Sequence, residues 1–132
     1  MYKKQFTINS NSHNQLIDIS HEVRNIVGES GISDGICYIF TFHTTAAITI
    51  NENADPSVCG DILMGLNKIS PNLSGFTHLE GNSDAHIKSS LVGNSVLVPI
   101  ENSNLKLGTW QGIYFCEFDG PRNSRKILVQ IQ

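Results

Sequence analysis

Charge and cysteine are both sparse in this chain of 132 residues, and each scarcity closes off a class of function. Only 16% of residues are charged, 9 basic against 12 acidic, for a formal net charge of −3. No global positive field is therefore available to hold nucleic acid or an anionic membrane surface. No apolar run approaches the roughly 18 residues that crossing a bilayer requires. The start of the chain, Met1-Tyr2-Lys3-Lys4-Gln5-Phe6, lacks the apolar centre of a signal peptide, so a cytoplasmic location is expected. The three cysteines, Cys37, Cys59 and Cys116, are widely and unequally spaced and form no CxxC pair, which leaves zinc knuckles and thioredoxin-like chemistry without support. Cys37 and Cys116 sit in apolar runs, where a reduced thiol behaves as a small hydrophobe. GxGxxG, Walker A and GxSxG sequences are also missing, which removes dinucleotide, P-loop and nucleophile-elbow readings.

What is present suits one domain spanning residues 1–132, with 39% hydrophobic residues and no linker, repeat or low-complexity tract. Alternation predicts a strand over Lys3–Ser10, and a second strand ends at Ile19 after the turn-forming Asn9–Asn14. Ser20 reads as the N-cap of a helix over about residues 20–30 that buries Val23, Ile26 and Val27 and stops at Gly31. Gly35–His43 and Ala46–Asn51 read as strands. Asp55-Pro56 breaks the chain, and Ser57 is expected to cap a helix to Lys68 with a buried stripe of Val58, Ile62, Leu66 and Ile69. Residues 70–83 read as loop, followed by a short helix over Ala85–Leu91 ended by Gly93. Strand-like runs close the chain at Ser95–Ile100, Thr109–Glu117 and Lys126–Ile131. The expected class is α+β, a mainly antiparallel sheet with a few short helices on one side.

Polar residues crowd at the ends of these strands, where rigid scaffolds display function. His43, His78 and His86, with Glu52, Glu80 or Asp84, are ligand types for a divalent metal such as Mg or Zn. Their spacing leaves surface or hydrogen-bonded histidines as the alternative. Asp84 reads equally as a helix cap, and Glu52 and Asp55 as residues favouring a helix dipole. Lys88, Arg122 and Arg125 are candidate phosphate binders, with the hydroxyls of Ser89 and Ser90 near Lys88; a solvated basic surface is the other reading. Trp110, in a glycine-flanked turn, suits either the core or stacking on a ligand ring.

Taken in order, four motifs resemble the YjbQ family over nearly the whole chain. They are His43-Thr44-Thr45-Ala46 leading to Asn51-Glu52-Asn53 and Asp55-Pro56; Glu80-Gly81 with His86-Ile87-Lys88-Ser89-Ser90; Gly108-Thr109-Trp110-Gln111-Gly112-Ile113; and Glu117-Phe118-Asp119-Gly120-Pro121-Arg122. Ser103-Asn104 stand where the family has Gly-Arg, removing one potential phosphate-binding arginine. The resemblance implies a homotrimer with polar residues near subunit boundaries. It also implies a secondary thiamine-phosphate synthase activity, in which a pyrimidine methyl pyrophosphate joins a thiazole phosphate and pyrophosphate leaves. On that reading His43, Glu52, His86 and Lys88 serve catalysis. Thr44, Asn51, Ser89, Ser90, Trp110, Gln111 and Arg122 contact substrate, and His43, His78, His86 and Asp84 hold the metal. Two other readings stand beside it: a metal- or phosphometabolite-binding module without turnover, and phosphate-ester hydrolysis.

Overall fold

A computed structural model describes all residues, Met1–Gln132. In chain order the elements are β1 (Tyr2–Ser10), β2 (Gln15–Asp18), α1 (Ser20–Ser30), β3 (Gly35–Thr41), β4 (Ala46–Glu52), α2 (Pro56–Ile69), α3 (Ser83–Val92), β5 (Ser95–Glu101), β6 (Asn104–Leu105), β7 (Gln111–Glu117) and β8 (Arg122–Ile131). They form two antiparallel sheets, one ordered β1-β8-β3-β5-β6 and the other β2-β7-β4. The α+β class is therefore as the sequence implies. No helix is long and apolar enough to cross a membrane.

Alternation in the strands builds the core. Cys37 and Ile39 of β3, Val98 and Ile100 of β5, and Ile127, Val129 and Ile131 of β8 point inward from the larger sheet. Ile48 of β4, with Ile113 and Phe115 of β7, meet them from the smaller one, and α1 adds Val23, Ile26 and Val27 as expected. Behind the smaller sheet a second cluster of Ala47, Cys116, Phe118 and Ala85 of α3 is backed by Leu63 and Leu66 of α2. All three cysteines are free, Cys37 and Cys116 buried; burial pushes both thiols up to about 12.

Several local expectations need correction. Ser20 does not cap α1: its Oγ accepts the Ile113 N–H, while Asp18 Oδ1 accepts the Ser20 N–H at 2.8 Å. Asp55, not Ser57, caps α2, accepting the Ser57 N–H at 2.9 Å, with Pro56 in the first turn. An aspartate two residues before an available N–H outcompetes a serine hydroxyl because its acceptor carries full charge. The apolar stripe of α2 is not buried in this chain: Ile62 is half-buried and Ile69 is 70% exposed. Trp110, for which the core was one reading, is 62% exposed.

Candidate functional site

His43 lies just past the end of β3, where the chain turns through Thr44 and Thr45 into β4. Its Nε2 accepts the Lys126 N–H of β8 at 2.8 Å, so the neutral ring carries its proton on Nδ1. Burial, and then the charge of Arg125, hold its pKa below the usual histidine range. Across from it, α3 presents His86, and the loop before α3 brings in His78. The two rings meet edge to face with centroids 5.5 Å apart. His78 Nε2 lies 3.8 Å from Glu80 Oε1.

His43 and His86, distant in sequence, line the same two adjoining cavities of about 570 and 390 Å³. The larger is walled by Phe40, Phe42, Ser89, Ser90 and Asn94, and the smaller by His78, Glu80, Asn82, Arg122 and Arg125. Thr44 and Phe42 border both.

Both arginines are held from behind. Arg125 is buried and donates through Nε to Glu117 Oε1 at 2.9 Å, and through Nη2 to Glu117 Oε2 and to Thr45 Oγ1. Its Nη1 has no acceptor in the protein, although the residue borders the smaller cavity. Burial pushes the Glu117 carboxyl up, but hydrogen bonds from Arg125, Ser10 and the Asp119 N–H outweigh it and leave the pKa low. Arg122 donates through Nε to the Asp119 carbonyl at 2.9 Å and through Nη2 to Asp119 Oδ2 at 2.7 Å. Asn82 Nδ2 donates to the same Asp119 oxygen at 2.7 Å and to Glu80 at 3.4 Å. Two carboxylate partners fix which end of the amide is nitrogen, and Asn82 Oδ1 is left buried with no partner.

Other expected site residues are elsewhere. Lys88 is only 1% exposed; its ammonium donates to Asn67 at 2.5 Å, reaches Asn14 at 3.5 Å, and lies 3.7 Å from Asp84 Oδ2. Neither Lys88, the expected phosphate contact, nor Asp84, the expected metal ligand, lines a cavity: Lys88 is turned inward to join α3 to Asn67 of α2, and the Asp84 carboxylate faces it from one turn earlier in α3. Ser89 and Ser90 reach the cavity wall, but their hydroxyls donate to the Ala46 and His86 carbonyls. Asn51, Glu52, Trp110 and Gln111 sit at the far end of the smaller sheet. Glu52 pairs with Gln111 there, whereas Ala46 pairs with Glu117 beside the cavity. At about 3.4 Å per residue the two ends are roughly 20 Å apart. No three His, Cys, Asp or Glu side chains of this chain are grouped to hold a metal ion. His43 has one nitrogen occupied by Lys126, and Asp84 faces Lys88.

Arg125 is readable as a phosphate candidate, but its buried Glu117 partner is not, because Glu117 ends β7 of the smaller sheet and Arg125 lies within β8 of the larger, and only the packing of the two sheets brings them together. The Asp119–Arg122 clasp had a local signal in its i,i+3 spacing. Asn82 had none.

The family model described as UPF0047 protein YjbQ-like matches residues 4–132. A UPF0047 protein from Methanocaldococcus jannaschii is 53% identical over 127 residues, covering 96% of this chain and 91% of its own length. YugU of Bacillus subtilis, also named a UPF0047 protein, is 51% identical over 90% of this chain and 91% of its own. A crystal structure of a YjbQ/UPF0047 family protein from Clostridium acetobutylicum superposes with a TM-score of 0.95 at 54% identity, covering 98% and 99% of the two chains. A YbjQ-like protein from Sulfolobus solfataricus gives the same TM-score at 35% identity, covering 98% and 95%. With four ordered motifs, the two-sheet fold and these likenesses in agreement, the chain belongs to the YjbQ-like UPF0047 family.

Proposed function

We propose that the smaller cavity binds the phosphoryl or pyrophosphoryl end of a small phosphorylated metabolite, and that the site carries out a thiamine-phosphate synthase-like condensation. The observation that carries this is the pair of arginines, each anchored by a carboxylate, bordering one cavity with His43, His78 and His86. Anchoring matters because a guanidinium already fixed loses little freedom when an anion arrives. Arg125 keeps Nη1 without a protein acceptor, and the Thr44 hydroxyl adds a donor.

The proposed reaction needs little covalent help. The carbon–oxygen bond to pyrophosphate breaks, its electron pair leaves with the pyrophosphate oxygen, and the thiazole nitrogen closes on the pyrimidine methylene. The protein's task is to stabilise charge on the leaving group and to align the partners. Arg122 and Arg125 fit the first task, and His78 and His86 border the same cavity. A resident divalent ion does not fit the residues of one chain, so no step is assigned to it. The test is product analysis with the pyrimidine methyl pyrophosphate and thiazole phosphate, with and without added Mg or Zn. Thiamine phosphate and pyrophosphate in equal amounts support the reading. Pyrophosphate affinity without product leaves the second reading, a phosphometabolite-binding module, which gains support from the absence of a nucleophile–base pair around the tied serines. Free phosphate would point to ester hydrolysis instead.

A homotrimer belongs to this proposal. The exposed Trp110, the half-covered α2 and the distant Asn51–Glu52 end all suit a neighbouring copy that brings the second polar cluster to the first. A cytoplasmic location is likewise proposed, as the place where phosphorylated metabolites and reduced thiols coexist.

A further inference from the structure

We propose that His43 meets the ligand as a neutral N–H donor to a phosphoryl oxygen, a role that excludes it as a metal ligand and as a proton carrier; this rests on the phosphate reading above. The strand register fixes the ring. Thr41, the last residue of β3, pairs with Ile127, so Lys126 stands opposite residue 42 as the next rung. Strand β3 has ended there, and two side chains take over from its backbone. Thr41 Oγ1 donates to the Lys126 carbonyl at 3.1 Å, and the Lys126 N–H donates to His43 Nε2 at 2.8 Å. A peptide N–H only donates, so Nε2 holds a lone pair and the ring proton sits on Nδ1.

Nothing in the chain accepts that proton. Nor is Nδ1 sealed from solvent, since Asn82 Oδ1 is the one buried side-chain polar atom left without a partner. His43 borders three cavities of about 570, 390 and 480 Å³, the second of them shared with Arg122 and Arg125. The other roles open to a histidine all collide with Lys126. Protonating the ring sets an Nε2 proton against the Lys126 N–H and breaks the contact that places the ring. A metal on Nε2 displaces the same N–H, and a metal on Nδ1 moves the ring proton to Nε2 against it. A general base needs a lone pair, which Nδ1 lacks; a general acid would be left as an imidazolate. What remains is a fixed, neutral donor beside two guanidinium groups, and the ligand group that all three accept together is an oxyanion.

Nitrogen NMR of the full chain labelled in its histidine rings, beside calorimetric titration with pyrophosphate, tests the idea. In the parent chain His43 should show a protonated Nδ1 and an unprotonated Nε2. Pyrophosphate should shift the Nδ1 signal, and added Zn should leave both signals in place. Two isosteres then separate the two ring nitrogens. His43→Gln keeps an oxygen at the Nε2 position for Lys126 but has no donor at the Nδ1 position. Its melting temperature should stay within a few degrees of the parent's while pyrophosphate affinity falls roughly tenfold or more, the loss of one hydrogen bond to a charged group. His43→Asn places an amide N–H at the Nδ1 position and leaves Lys126 unpaired. It should melt lower, yet recover most of the affinity that His43→Gln loses. A proton on Nε2, a Zn-induced shift of either ring nitrogen, or unchanged affinity in His43→Gln overturns the donor role and leaves phosphate binding standing. Equal loss of affinity in both variants overturns it as well. Failure of pyrophosphate to bind the parent removes the phosphate reading and this inference together, whichever nitrogen carries the proton.

Discussion

The two cavity arginines sit in different surroundings, so substitution separates binding from folding. Arg122 is half-exposed and clasped by Asp119; Arg122→Ala should weaken pyrophosphate binding while costing under about 1 kcal/mol of stability, the range of exposed pairs. Removing Arg125 strands Glu117, which has no solvent contact, and breaking a buried pair of this kind costs roughly 3–5 kcal/mol. Urea denaturation beside calorimetry distinguishes the two effects. Equal destabilisation by both substitutions would contradict the assigned burial. The same pair sets an acid limit. Because the folded Glu117 pKa lies below its ordinary value of 4.5, its contribution is fully present above that value and is lost as pH falls through the folded one. Replacing Glu117 by Gln should flatten that part of the stability-against-pH curve. His86 differs from both. His86→Ala should abolish most binding and turnover and leave the melting temperature within a few degrees, as surface changes usually cost under about 0.5 kcal/mol. Full turnover with a much lower melting temperature would make it a packing residue.

At the scale of elements, the strands and the helix stops were legible because period-two alternation and glycine are local signals. Val23, Ile26 and Val27 are buried as their spacing implies, and Gly31 takes the left-handed conformation with φ of 68°. Caps were less legible: serine and aspartate compete for the same N–H groups, and spacing does not say which oxygen arrives. Helix α2 shows a further gap. Periodicity identifies an apolar stripe but not what covers it, and within one chain its cover is partial. Ile62→Ala should therefore cost about 1–2 kcal/mol in a dissociated chain, less than the 2–5 of a fully buried site. A cost near the top of that range only at assembling concentrations would show that a neighbouring copy completes the burial. Gly120 lies in the Asp119–Arg122 loop, and a Cβ there would collide with the Ser12 carbonyl oxygen. Gly120→Ala should loosen the arginine clasp and weaken anion binding without touching a ligand contact directly.

At the scale of the molecule, the sequence marks polar clusters at strand ends but does not tell which of them share a cavity. His43 and His86 converge because β3 ends where α3 begins to pack on β4, a contact visible only after the sheet order is known. Lys88 misled for the opposite reason: a lysine beside two serines looks available until α3 turns it toward Asn67 and Asp84. The remaining cluster, with Trp110 and Gln111, is separated from the cavity by the length of the smaller sheet. If both ends serve one reaction, a second copy must supply one of them. The assembled protein should then elute near three times 14.5 kDa and be insensitive to reductant, since all cysteines are free. Assembly alone does not prove a shared site, but mixed subunits do. A chain carrying His86→Ala retains its Trp110 end, and one carrying Trp110→Ala retains its histidine cavity. Unfolding and reassembling equal amounts of the two should restore activity at about a quarter of the sites, those pairing an intact cavity with a neighbour's intact Trp110 end. Two inactive variants that stay inactive after mixing, with the trimer reformed, would confine the site to one protomer and leave the Trp110 cluster without a catalytic role.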